Sequence, residues 1–390
     1  MKAGTPMAAS LSQPRPAHKI GYSKQLGAAL LAAMLTVTLV ATFAASAMWQ
    51  QWRAVEVEAA ERTRSQSAWI LVGALDWARL ILREDARSGG ADHLAEPWAV
   101  PLQESRLTSF IAADKTNTTQ ANAGVGNTPS PAANNTGNSA GNSNSNAYSE
   151  AGNEIFLSGQ IVDMQSLLNI NNLVANGTVS VPDLRAFAKV FDLLDLEPSE
   201  LLRATDLLMR ANDQSEGNAQ ASLAPLLPQR FAQLAWLGFS ADTLERLRPY
   251  VGVLPVRAPL NINTASAELL YASIPALALD GARKLVAQRE KAHFRDLNAG
   301  GTLAAAATAQ LNEGRHSVAT RFFEVRGRIR LGIEKPDSEQ KSQDVTIQER
   351  SLVQRDGIDV KVLWRERAAL GGFGSGSFAP DGGAVPTITN

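Results

Sequence analysis

The sequence predicts an α+β protein: a long N-terminal helix packs on a small antiparallel sheet, with an all-α domain inserted between the sheet strands. Three observations carry this. A charge-free apolar run from Ala28 to Met48 leads into an amphipathic helical stripe. Period-two apolar patterns appear both before and after the middle of the chain, and the middle itself reads as a series of short helices.

The apolar run, AALLAAMLTVTLVATFAASAM, has about the 20 residues that a helix needs to cross a hydrocarbon core. Residues 1–27 are polar and mildly basic through Arg15, His18, Lys19 and Lys24. The positive-inside rule therefore predicts a cytoplasmic N-terminus, one pass through the cell inner membrane and a periplasmic bulk. Trp49 and Trp52 stand where interfacial aromatics are expected. A competing reading is a secretory signal peptide cut after Ala45-Ser46-Ala47, but the run exceeds the roughly 7–15 residues of a signal core. No Gly or Pro occurs from Ala28 through Val72, so one helix can run roughly 65 Å at 1.5 Å per residue. Its later part is amphipathic. Leu71, Leu75, Ala78 and Leu82 form one apolar stripe, while Glu56, Glu58, Glu61, Arg62 and Arg64 keep the turns after the membrane solvated.

Further along, residues 49–112 extend the helix and begin the sheet domain, and 113–150 form an Asn/Ser-rich insertion too poor in large apolar residues to offset its ordering entropy. Strands are expected within 151–180, a helical domain over 181–320, C-terminal strands over 321–369 and a Gly/Pro-rich tail over 370–390. In the helical domain Pro182 suits a first helical turn ahead of Leu184, Phe187, Phe191 and Leu194. Ser199, Ser240, Thr264 and Asp280 are candidate helix starts. The C-terminal strands are read from Phe323, Val325 and Ile329 alternating with charges, then Val345 to Val353 and Val360 to Trp364.

The formal charge of -1 supplies no bulk attraction to nucleic acid. With no cysteine, thiolate catalysis, disulfides and Cys-based zinc sites are excluded. The four histidines, His18, His93, His293 and His316, include no pair spaced for one helix face. No Ser/His/Asp or phosphate-loop constellation occurs, so the chain is read as a non-enzyme.

Several motifs, in order, carry a family resemblance. Lys24-Gln25-Leu26-Gly27 before Ala28-Ala29-Leu30-Leu31 looks like a prepilin peptidase site. Glu96-Pro97-Trp98-Ala99 is followed by Ser158-Gly159-Gln160-Ile161-Val162-Asp163-Met164-Gln165, then by Leu168-Asn169-Ile170-Asn171-Asn172-Leu173 and Leu260-Asn261-Ile262-Asn263-Thr264-Ala265. Together these resemble the type II secretion system minor pseudopilin K family (general secretion pathway protein K). The resemblance implies a pilin-like helix and sheet with an inserted SAM-like, helix-hairpin-helix-like domain. It implies a leader cut between Gly27 and Ala28, N-methylation of Ala28, and partner contacts through Leu30, Leu31, Ala32 and Leu35. Ala32 stands where ordinary pilin-like subunits carry a Glu that neutralises a neighbour's terminal ammonium, which suits a subunit at the tip. Implied partners are the I- and J-type minor pseudopilins, the major pseudopilin and prepilin peptidase, without nucleic acid, and the implied role is pseudopilus assembly and protein export across the outer membrane.

Two departures matter. The family's calcium loop corresponds to Thr205 to Pro228, where Asp206, Asp213 and Glu216 are too scattered for the six to eight oxygens a hard cation takes, so no metal or other cofactor is expected. The alternative function is a membrane-anchored helix-hairpin-helix DNA-binding or uptake protein. Against it, Pro275-Ala276-Leu277-Ala278 replaces the Gly-apolar-Gly turn that presents backbone N–H groups to phosphate. Arg283, Lys284, Arg289, Lys291 and Arg295 nearby read as a solvated helix face.

Overall fold

The computed structural model describes residues 25–107, 153–213, 224–298, 311–333 and 345–369. The expected leader up to residue 24, the insertion over 113–150 and the tail over 370–390 lie outside the described residues. The chain divides into two compact units, Met1–Gln66 and Ser67–Asn390. Helix α1 (Gln25–Ser88) contributes to both.

In the first unit, α1 is apolar and exposed from Ala28 to Met48, with Thr36, Thr38, Thr42 and Ser46 hydroxyls donating to carbonyls three residues earlier. Those bonds satisfy the small polar side chains within the helix itself. Among the described residues this is the one helix long and apolar enough to cross a membrane. Within the same helix, just past the apolar run, the Trp49 and Trp52 rings lie 5.4 Å apart.

In the second unit, the predicted stripe closes a core. Leu71, Leu75, Ala78 and Leu82 are each at most 4% exposed. They face a five-stranded sheet built from β1 (Leu102–Arg106), β2 (Asn153–Asp163), β3 (Phe322–Ile333), β4 (Val345–Asp356) and β5 (Asp359–Ala369). Strand order follows sequence order, and every neighbouring pair is antiparallel. Leu75, Ala78 and Leu82 pack with Trp98, Phe323, Val325, Val353 and Val360, and Leu71 packs with Leu107, Leu157, Ile329 and Leu331. Gly159 and Gly327 pair directly across β2 and β3 beneath the helix. A Cβ on Gly327 would sit 3.1 Å from a Leu71 methyl, and one on Gly159 would sit 2.8 Å from the Arg326 carbonyl oxygen, so this close approach requires glycine. Before β1, the 3₁₀ turn Pro97–Ala99 buries Trp98 edge-on to Phe323, with ring centroids 5.1 Å apart.

The crossover from β2 to β3 is the helical domain. It contains α2 (Val181–Leu193), α3 (Pro198–Asn212), α4 (Ala241–Leu247), α5 (Ala267–Ser273) and α6 (Leu279–Lys291), with a 3₁₀ segment Phe231–Leu237. Its core runs through Phe187, Phe191, Leu208, Leu234, Leu269 and Leu285, independent of the core under α1. Ser240 caps α4, its hydroxyl accepting from Thr243 N. Three other expected starts shift. Glu197 precedes Pro198 at the head of α3, Ser266 rather than Thr264 caps α5, and α6 begins at Leu279, one residue before Asp280. The reasons are chemical: Pro198 needs no N–H bond at a first turn, and the Thr264 hydroxyl is engaged elsewhere, as described below.

Sheet strands were expected throughout 151–180, and here the structure differs. Past Asp163 the chain leaves the sheet through 3₁₀ turns at Met164–Ser166 and Ile170–Leu173, with only two-residue strands, Leu168–Asn169 between them and Val174–Ala175 and Thr178–Val179 after them. Leu168, Ile170, Leu173 and Val174 are buried in the helical-domain core instead. Their apolar spacing was satisfied by a different core from the one assumed.

Truncating Leu82, fully buried against the sheet, should lower the unfolding free energy by about 2–5 kcal/mol. Leu80→Ala, on the 50% exposed face of the same turn, should change it by about 0.5 kcal/mol or less. Urea unfolding of the detergent-solubilised chain, followed by tryptophan fluorescence, distinguishes the two; equal losses would mean that the stripe does not carry the packing.

Candidate interaction site and interdomain junction

The residues predicted for processing and assembly sit on the first turns of α1. Gly27 lies within the helix, Ala28 and Ala32 are exposed, and Leu30, Leu31 and Leu35 are exposed by 66–69%. An apolar helix surface of this kind has no contact that satisfies it in water. It suits lipid or another helix.

A second functional element is the polar junction where the helical domain leaves and rejoins the sheet. Asp163, at the end of β2, is 3% exposed. Its Oδ1 accepts from Gln165 N at 2.7 Å, and its Oδ2 accepts from Thr264 Oγ1 at 2.5 Å, Thr320 Oγ1 at 2.7 Å and Asn261 Nδ2 at 3.0 Å. Asn261 Nδ2 also reaches the Asp92 carbonyl at 3.2 Å, tying in the segment after α1. Gln165 spans from the Pro259 carbonyl, 2.9 Å from its Nε2, to Arg321 N, which donates to its Oε1 at 2.7 Å. One carboxylate therefore collects donors from the exit, the interior and the return of the inserted domain. Burial pushes Asp163 up to about 6 in spite of these four donors.

Beside it, Arg355 of β4 donates to Asp85, to both Asp92 oxygens at 2.5 and 2.7 Å, and to the Thr320 carbonyl at 2.8 Å. Thr320 N donates to Asp92 Oδ2 at 2.6 Å. Burial pushes both Asp85 and Asp92 above the usual carboxylate range, with Arg355 pulling the other way. Asp85, Asp92 and Glu96 hold oxygens within 4.8 Å of one another, a spacing open to a cation. The Arg355 guanidinium occupies that role for the first two. Glu96 Oε2 accepts instead from His93 N at 2.9 Å and Trp98 Nε1 at 2.6 Å.

The asparagine motifs act on backbone, on remote segments rather than only on local turns. Asn169 Oδ1 accepts from Leu254 N at 3.0 Å, and Asn172 bonds Ala258 through both N and C=O. Asn263 does the same to Phe294. The predicted hairpin lies between α5 and α6, where Ala276 takes a left-handed φ of 59°. Arg289 leaves the expected basic face: its Nη1 donates inward to the Ile262 carbonyl at 2.8 Å.

Two groupings had no local signal. His93 and His293, 200 positions apart, stack with ring centroids 3.8 Å apart. His316 is buried beside the short parallel pair Leu260–Asn261 and His316–Ser317, accepting from Asn312 N at Nδ1, and burial holds it down at about 4. Only a tertiary contact, invisible in local spacing, could have indicated either.

Residues 166–256 and 260–319 match two family models, each described as type II secretion system (T2SS), protein K. Type II secretion system protein K of Dickeya chrysanthemi is 30% identical over 298 residues, covering 70% of this chain and 80% of that protein. The protein K of Pseudomonas aeruginosa is 24% identical, with 79% of this chain and 85% of that protein covered. The one from Pectobacterium carotovorum subsp. carotovorum is 24% identical, with coverages of 88% and 97%. In fold, the chain is similar to one in the crystal structure of the GspK-GspI-GspJ complex from enterotoxigenic Escherichia coli. The TM-score is 0.50 at 18% identity, covering 79% of this chain and 98% of that one.

Two of the buried titratable groups, Asp163 and His316, should give opposite pH dependences. Asp163 rises from 3.8 to about 6 on folding, so its favourable contribution is full below about pH 3.8 and is lost as pH rises through 6. His316 falls from 6.5 to about 4, so its contribution is present above 6.5 and is lost as pH falls through 4. In Asp163→Asn, acidification from pH 6.5 to 4 should therefore destabilise more steeply than in the unaltered chain; in His316→Asn, it should destabilise less steeply. Urea midpoints against pH measure this, and identical slopes in all three would contradict both assignments.

Proposed function

The chain belongs to the type II secretion system protein K family, and from that premise we propose that it is a minor pseudopilin at the periplasmic tip of a pseudopilus, supporting its assembly and protein export. The observation that carries this reading is the order of elements along the chain. A membrane-length apolar helix precedes an antiparallel sheet whose β2–β3 crossover is the helical domain. The family resemblance assigns no catalytic step to such a subunit. The work is done by surfaces.

In this reading prepilin peptidase cuts between Gly27 and Ala28 on the cytoplasmic side of the inner membrane, and Ala28 is then N-methylated. A glycine before the cut lets the chain lie extended with no side chain in the way. Leu30, Leu31 and Leu35, exposed on α1, would pack in the filament core against other subunits. Ala32 supplies no carboxylate there. A tip subunit needs none, since no neighbour above it brings a charged terminus into lipid. The solved complex of a similar chain with GspI and GspJ supports I- and J-type minor pseudopilins as partners; the major pseudopilin follows as the filament below. The subunit would work without the family's calcium loop, whose centre, residues 214–223, falls outside the described residues.

The test is the N-terminal mass of the protein recovered from membranes, with and without active prepilin peptidase. A chain beginning at methylated Ala28 is expected only when the peptidase is active. Cleavage after Ala47, or an intact leader in both strains, would overturn the reading.

A further inference from the structure

Because side chains alternate along a strand, the face of β3 opposite α1 carries Glu324, Arg326, Arg328 and Arg330. The register places Arg350 of β4 beside Arg326, and Arg106 of β1 beside Phe156, which itself faces Arg330. At one end this face is covered: Phe322 and Leu352 pack against Met164, Leu254 and Ala258 of the inserted domain. Beyond that cover the arginines begin.

Their partners are unequal. Glu324, with its side chain 2% exposed, takes Arg326 and also Arg350, the latter at 2.8 and 3.0 Å. Arg330 donates to Glu104 of β1 and lies 4.1 Å over the Phe156 ring. Arg328 stands between them with neutral cross-strand neighbours, Ser158 and Gln348, and its Nε is buried with no hydrogen-bond partner among the described residues. An unsatisfied buried guanidinium N–H costs free energy comparable to a lost charged hydrogen bond, and a planar fork matches a carboxylate better than any other protein group.

We propose that this sheet face docks an acidic segment of a partner protein, which places a carboxylate on Arg328 between the Arg326 and Arg330 guanidiniums. Charge complementarity identifies the occupant. Arginines two residues apart on one strand recur about every 6.6 Å, the spacing of carboxylates on alternate residues of an extended chain. A nucleic-acid backbone is the poorer fit, since Glu324 and Glu104 interrupt the row of cations that a run of phosphates would follow. A lipid surface is poorer too: the Arg326, Arg330 and Arg350 side chains are only 22–29% exposed and already engaged by Glu324 and Glu104, so they offer little to a flat array of headgroups.

The test uses the full chain in neutral detergent and a fluorescein-labelled decapeptide with Glu at alternate positions, against a twin with Gln. Fluorescence anisotropy at low salt should show binding of the Glu peptide only, weakened at least about tenfold by Arg328→Gln. Should Arg328→Gln fail to fold, Gln348→Glu provides a second variant. It sets a competing carboxylate beside Arg328 and should cause the same loss. Equal binding of the two peptides, no binding of either, or affinity unchanged in both variants would overturn the proposal. So would Arg328-dependent binding of an oligothymidine or of anionic phosphatidylglycerol vesicles in place of the Glu peptide, or Arg328-dependent dimerisation seen by sedimentation.

Discussion

A single buried carboxylate, Asp163, sets the condition that the rest of the sheet-bearing unit must meet. An ionised carboxylate removed from water is costly unless donors replace its hydration. Here the donors come from Gln165, Asn261, Thr264 and Thr320, segments up to 157 positions distant in sequence. The carboxylate is satisfied only when β2 has ended, the loop before α5 has arrived and the chain is about to enter β3. Closing the inserted domain and completing the sheet are therefore one event at this point. Arg355, Asp92 and Asp85 form a neighbouring ionic knot that adds the end of α1 and the end of β4 to the same junction.

This arrangement explains how a five-stranded sheet accommodates a long crossover between β2 and β3 without distortion. The helical domain brings its own core, around Phe187, Phe191 and Leu208, and asks of the sheet only that its two ends lie close together. Loop closure grows more costly only slowly with length, so a domain that folds within the loop is tolerated. Where its loops lack regular pairing, asparagine amides stand in for strand neighbours. Asn169, Asn172 and Asn263 each satisfy backbone groups on a remote segment, which keeps irregular buried backbone from being left unpaired.

Much of this was legible before any coordinates. The stripe Leu71, Leu75, Ala78 and Leu82 identified the packed face of α1 because a 3.6-residue period leaves little freedom about which side chains point inward. The alternation around Phe323, Val325 and Ile329 did the same for β3. The segment 164–180 was less legible: its apolar residues have strand-like spacing but serve a neighbouring core, and spacing alone does not say which core a residue joins. Asparagine amides are backbone-bonding groups by their chemistry, while the partners of Asn169 and Asn172, some 85 positions away, are not available to local reasoning. Nothing local in the sequence sets Asp163 or Arg355 apart from the other polar residues of their strands.

What the sequence alone determined is what depends on local periodicity and composition: a membrane-length apolar segment, an amphipathic helix after it, strands flanking a helical insertion, and no thiol chemistry. What only the tertiary structure decided is which polar groups meet. The Asp163 junction, the His93–His293 stack, the inward turn of Arg289 and the Arg328 Nε left unbonded among the described residues all depend on what meets through space. The physical reason is range. Apolar burial is non-directional and is written into the chain as a repeat, whereas a hydrogen bond needs one partner within about 3 Å, and only the folded backbone brings it there.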